Sequence, residues 1–93
     1  MMSTIPIDLK KVEKTNLNRE ILRVGIIAEC DAVSLYEQLA AMTEDKNIIK
    51  ILLDIAKEEK THIGEFQALL LRIDKEQEKE LVEGKKEVDE KTK

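Results

Sequence analysis

The sequence predicts an all-α fold: an antiparallel two-helix hairpin followed by a short third helix, with a second copy of the chain completing the core as a four-helix bundle. Three observations lead there. The chain is 42% hydrophobic and 39% charged but only 2% aromatic, with one proline and three glycines. That composition suits long helices whose aliphatic stripes alternate with solvated charge. Two long stretches repeat apolar residues at spacings alternating four and three, on either side of a short polar break. Finally, 93 residues with the single cysteine Cys30 cannot close an internal disulfide, and chains this short need a metal or a partner to complete a core.

The elements follow in order. Residues 1–16, "MMSTIPIDLKKVEKTN", contain Pro6 and hold no sustained period, so they read as a lead-in with one short helical turn. From Leu17 to Met42 the period is helical, with Leu22, Ile26, Glu29, Val33, Tyr36 and Ala40 along one seam. Asn16 or Asn18 can cap its start. A second row, Ile21, Gly25, Ala28, Ala32, Leu35 and Leu39, is small at its centre and would let another helix approach closely. "TEDKN", residues 43–47, is a polar break with Asp45 placed as an N-cap. So short a connection makes the neighbouring helices antiparallel. The second helix carries Ile48, Leu52, Ile55, Glu59, His62, Phe66, Leu69 and Ile73 as its seam. Asp74, followed three residues later by Gln77, has the form of a capping box that opens a third helix, and Gly84 is positioned to stop it. The domain proper is therefore 17–84. Residues 85–93, "KKEVDEKTK", hold one apolar side chain and read as a mobile tail or a linker.

Several functions are excluded or disfavoured. A net charge of −4 lacks the basic face that nucleic acid requires. The apolar run "VGIIA", residues 24–28, falls far short of the roughly 20 residues that span a bilayer. The opening residues have no basic stretch leading into an apolar one, so no secretion signal is read there, and the lone thiol agrees with a reducing cytoplasm. Phosphate loops, nucleophile triads and zinc-type cysteine clusters are absent from the sequence.

The chemistry lies in "AKEEKTHIGEF", residues 56–66, where Glu59 and His62 occupy seam positions that leucines would normally fill. Glu29 interrupts the seam of the first helix in the same way. Burying a carboxylate without a partner costs several kcal/mol, and a cation would offset that cost. Residues three apart on a helix have Cβ atoms about 5–6 Å apart on one face, so Glu59 and His62 can reach a common ion. With the turn near residue 45, Glu29 lies at the height of Glu59 and His62 on the opposite helix. One Glu facing a Glu-x-x-His pair is half of the set that holds two metals in carboxylate-bridged bundles, so a second copy would supply the other half. A lone histidine on a seam, or a bare Glu-x-x-His, is common in helices; the shared height and seam phase of all three residues are what point to metal. Glu58 and Glu65 also have helical spacing to His62 but fall off the seam, which makes them solvent residues or a layer behind the ligands. Tyr36 lies two turns from Glu29 and could give a hydrogen bond or an electron near the site, or simply be half-buried with its hydroxyl at the surface. Cys30 is expected to be a small buried hydrophobe. Asp31, Glu37, Asp54 and Glu58 read as a solvated face.

Glu29, Tyr36 and "EEKTH" lie within longer stretches, "IIAECDAVSLYEQLA", "ILLDIAKEEKTHIGEFQALLLRID" and "KEQEKEL", that resemble the encapsulated ferritins. More narrowly, they resemble the ferritin-like domain that precedes the shell domain in some archaeal encapsulins. The similarity covers residues 20–84. It implies a two-helix subunit with an extra C-terminal helix that pairs into a ferritin-like bundle, with a ferroxidase site across the dimer interface. Glu29, Glu59 and His62 match the family's iron ligands, and Tyr36 matches a tyrosine close to them. The resemblance further implies rings of dimers inside an encapsulin shell that stores the mineral in the cytoplasm. Two departures stand out. Ala28 and Asp31 replace glutamates that often gather near the iron path, and "EVDEKTK" lacks an apolar, glycine-containing docking peptide. Either a shell domain follows in the native protein or encapsulation works differently.

The expected function is a ferroxidase with a di-iron centre between two chains, in which Glu29 and His62 hold one iron and the two copies of Glu59 bridge the pair. Carboxylate oxygens with one imidazole per metal suit iron. A rubrerythrin-like peroxide-reducing protein is a second reading, weakened because the chain has no four-cysteine iron site. The third is a non-enzymatic assembly hairpin in which the same three residues form a buried polar network.

Overall fold

The computed structural model describes residues 8–11 and 13–93, and among these all regular structure is helical. Helix α1 spans Leu17–Met42, α2 spans Lys46–Ile73 and α3 spans Lys75–Lys91. Pro6 and the other lead-in residues 1–7 and 12 lie outside the described residues. The rest of the lead-in forms two 3-10 turns, Leu9–Lys11 and Lys14–Asn16, rather than the single turn expected. The second turn runs directly into α1. Asn16 therefore has near-helical backbone angles and its side chain caps nothing, while Asn18 lies within the helix.

The α1–α2 turn forms as the sequence predicts. Asp45 is extended, and its carboxylate accepts from the backbone N–H groups of Asn47 at 2.9 Å and Ile48 at 3.1 Å, satisfying two donors that the helix leaves orphaned. The helices then run antiparallel: Arg23 meets Asp74, Gly25 meets Phe66, Glu29 meets His62 and Glu37 meets Lys60. Gly25 does what its row of small residues implied. A Cβ there would lie 3.2 Å from the Phe66 ring, so the glycine admits the aromatic edge between the helices.

The core of the single chain is narrow, with Ala40, Ala56 and Leu70 as its buried hydrophobic residues. The seam of α1 is as predicted, from Leu22 through Ala40. The seam of α2 needs correction. Alongside Leu52, Ile55, Glu59, His62 and Phe66 of the expected seam, Ala56, Ile63 and Leu70 are sheltered too, whereas Ile48, Leu69 and Ile73 of that seam are exposed. The expected seam therefore holds from Leu52 to Phe66, with His62 meeting Glu29 of α1, and fails at its two ends. Helix α2 is apolar over a wider arc than one neighbour covers, and periodicity alone does not reveal which edge of a broad stripe faces that neighbour. On α1, Ile21, Leu35 and Leu39 are also exposed. A continuous apolar face therefore lies open along the hairpin.

Helix α3 also departs from expectation. It does not stop at Gly84 but continues to Lys91, so most of residues 85–93 are helical. Gly84 does not adopt the positive φ of a glycine stop. An interior glycine costs a helix only about 1 kcal/mol, and the flanking residues favour continuation: Lys85 pairs with Asp89 at 2.8 Å and Lys86 with Glu83 at 3.6 Å. The helix instead ends where the Thr92 hydroxyl donates to the Val88 carbonyl at 2.6 Å.

This placement of Gly84 is testable. Nothing lies within 4 Å of a Cβ built on it, so Gly84→Ala should stabilise α3 by about 0.5–1 kcal/mol. Slower amide exchange in residues 80–90 would verify it; faster exchange would mean that the glycine serves as a stop.

Candidate metal centre

Glu29 sits in the middle of α1, and Glu59 and His62 face it one turn apart on α2. His62 Nδ1 lies 3.3 Å from Glu59 Oε2 and 3.4 Å from Glu29 Oε2. One ligand atom from each of the three residues falls within 4.8 Å of the others, and among the described residues this is the one such group of three. The carboxylates are the sheltered part: the side chains of Glu29 and Glu59 are each 19% exposed, against 45% for His62. The histidine therefore sits at the rim, toward the open face of the hairpin.

The electrostatics of this arrangement are incomplete. A single ring nitrogen faces two carboxylates, and it carries at most one proton. Its hydrogen-bond contact is with Glu59. Glu29 Oε2, although fully buried, has no hydrogen-bond partner. A buried anionic oxygen without a donor is destabilising. A cation among the three groups would remove the defect, because the carboxylate oxygens and the deprotonated nitrogen can all turn lone pairs toward it. A mixed oxygen and imidazole donor set suits a divalent transition metal. The residues present thus fit a metal ion.

The other residues singled out in the sequence fall around this cluster in different ways. Tyr36 is half-buried on the same seam, and Glu58 is exposed and outside the cluster. Glu37 is not merely solvated: it pairs across the hairpin with Lys60 at 3.1 Å, beside the site. That pair escaped sequence reasoning because neither residue lies on an apolar seam. Cys30 is exposed rather than buried, since it projects from the part of α1 that α2 does not cover.

The rubrerythrin family profile matches residues 20–93. A crystal structure of an encapsulated ferritin domain from Pyrococcus furiosus matches with a TM-score of 0.84 at 52% identity, covering 99% of this chain and 96% of that one. The chain belongs to the rubrerythrin family of ferritin-like proteins. The resemblance to encapsulated ferritins read from "EEKTH" and its surroundings is borne out, as is the all-helical ferritin-like fold. Over 73 residues the chain is 62% identical to a ferritin-like and encapsulin shell fusion protein of Pyrococcus furiosus, covering 78% of this chain and 21% of that protein. Over 68 residues it is 38% identical to an encapsulin nanocompartment cargo protein of Myxococcus xanthus, covering 73% of this chain and 52% of that one. The chain thus spans about a fifth of the fusion protein and half of the cargo protein.

The unpartnered oxygen yields a stability prediction. In metal-free protein, Glu29→Gln replaces a buried anion with a neutral group that can donate to Glu59, and it should stabilise the fold by about 1–3 kcal/mol. Thermal unfolding in chelator measures this, and a lower midpoint than wild type would show that Glu29 has a compensating partner.

Proposed function

We propose that this domain is a ferroxidase, oxidising Fe(II) to Fe(III) at a di-iron site formed between two copies of the chain. The observation that carries the reading is the buried, unpartnered Glu29 oxygen beside Glu59 and His62, at the edge of an apolar face that one chain leaves open. Glu29 and His62 hold one iron in each half-site. The two Glu59 carboxylates, brought together by the second copy, bridge the pair. Fe(II) is the substrate and yields one electron per ion to an oxidant. The protein's part is to hold two ions close together with carboxylates whose negative charge favours the more highly charged product. Tyr36, two turns along the same seam, is assigned as a hydrogen-bond donor toward this centre, and Glu58 as a residue behind the ligands.

The relatives support a setting for this activity. Two of them are a shell fusion and a nanocompartment cargo protein, and we place this domain likewise within an encapsulin shell in the cytoplasm, where the oxidised iron is stored. No described helix is long and apolar enough to cross a membrane. A homodimer would cover the open face, and rings of such dimers would bring many sites to one compartment.

A peroxide-reducing activity is the second reading, favoured by the match to the rubrerythrin profile. With one cysteine, the chain holds no four-cysteine site to deliver electrons.

His62→Ala removes an imidazole from each metal and should slow Fe(II) oxidation at least tenfold, judged from what loss of even an outer partner costs a metal site. Glu58→Gln and Glu65→Gln should cost much less than His62→Ala. Oxygen uptake during Fe(II) addition is the assay. Equal losses in the Glu65 and His62 variants would contradict the ligand set, and faster turnover of peroxide than of oxygen would favour the second reading.

A further inference from the structure

Away from the metal cluster, the most concentrated polar feature surrounds Asp74, the buried polar residue between α2 and α3. Asp74 is the single non-helical residue at that junction, with φ −128° and ψ 89°. Its N–H donates to the Leu70 carbonyl at 2.9 Å, which finishes α2. One carboxylate oxygen, Oδ1, accepts from the Gln77 N–H at 3.0 Å and so caps α3. The other, Oδ2, turns to α1: the Arg23 guanidinium donates to it at 3.1 Å and Arg19 Nε lies 3.4 Å away. Arg23 is itself held by Glu20 at 2.8 Å. Arg19 and Arg23 are four apart, so both side chains emerge on one face of the first turns of α1.

Apart from this junction, the backbone of α3 makes no close approach to the hairpin. The molecule is accordingly flat and wide, 47 × 43 × 20 Å, because α3 departs sideways rather than folding back. Its 17 residues make a lever about 25 Å long, so a modest rotation at one residue would carry the far end many ångströms. Exposed Leu81, Val82 and Val88 ride on that lever. We propose that Asp74, Arg19 and Arg23 form a charge latch that sets the direction in which α3 leaves the hairpin. Capping alone needs one carboxylate oxygen; the second oxygen and two arginines from a different helix supply what a cap does not, a fixed bearing. The planar arginine fork suits this role because it orients as well as attracts.

The latch is independent of the metal site and is tested by distance. In a Cys30→Ser background, spin labels on Lys57→Cys and Glu87→Cys, both exposed positions, report the α2–α3 distance. Labelled chains are diluted into excess unlabelled chains before refolding, so that distances within one chain dominate. Asp74→Asn keeps the cap, since asparagine caps as well as aspartate, but removes the charge. Paired Arg19→Gln and Arg23→Gln keep Asp74 intact. Each set should broaden the distance distribution about twofold, as expected of a freed hinge, with all three changes together no broader than either set and helix content by circular dichroism unchanged. The inference fails if the arginine pair leaves the distribution at wild-type width, which would make Asp74 a cap only. It also fails if wild type is already as broad as the variants. Neither result bears on iron oxidation, which is measured separately.

Discussion

Two carboxylates and one imidazole converge where an apolar seam should close, and a single ring nitrogen cannot satisfy both carboxylates. Much of the structure is arranged around that deficit. Leucines in place of Glu29, Glu59 and His62 would make an ordinary hairpin, more stable alone. Instead the chain holds a buried oxygen without a donor at the middle of its longest helices, where neighbouring turns keep it from reaching water. Such a site is suited to a cation, which would offset the cost of the buried carboxylates. The Glu37–Lys60 pair also crosses the hairpin, but both side chains are largely exposed, so it adds little to the stability of the fold.

The rest of the packing fits a unit meant to be completed. One neighbour can cover only part of a broad apolar helix, and α2 spreads its aliphatic residues over more than that. Small residues, Gly25 against Phe66 and the buried Ala40 and Ala56, draw the two helices together on one side. Larger ones, among them Ile21, Leu35, Ile48, Leu69 and Ile73, remain exposed on the other. His62, more exposed than the glutamates, stands at the border between the closed side and the open one. The three-residue cluster and the uncovered surface are therefore adjacent, so under the proposed function loading of the site would be coupled to association, because a ligand bound across two chains stabilises the pair by its own binding free energy.

What the sequence revealed depended on whether a signal was local or periodic. Asp45 announced its turn because an N-cap acts within three residues. Glu29, Glu59 and His62 stood out as ionisable groups at apolar positions, and the short turn placed them at one height by counting alone. The phase of α2 was less legible: Ala56 and Ile63 lie one residue on from Ile55 and His62, about 100° around the helix, and the sheltered arc is broad enough to take in both pairs. Gly84 looked like a stop because glycine often is one, yet charge pairs on either side carry the helix through. Cys30 was misjudged for a related reason, since burial of a small residue depends on a neighbour that periodicity does not specify. The meeting of Arg19 and Arg23 with Asp74 joins residues more than fifty positions apart and left no trace in local pattern.

Under the proposed function, one chain holds half a site and two chains hold a whole one. Sedimentation during anaerobic titration with Fe(II) addresses it most directly, because mass and bound metal are read from the same sample. Bound iron should appear only in species containing at least two chains, approaching one ion per chain as association completes. A folded monomer that binds iron stoichiometrically while remaining a monomer would contradict it.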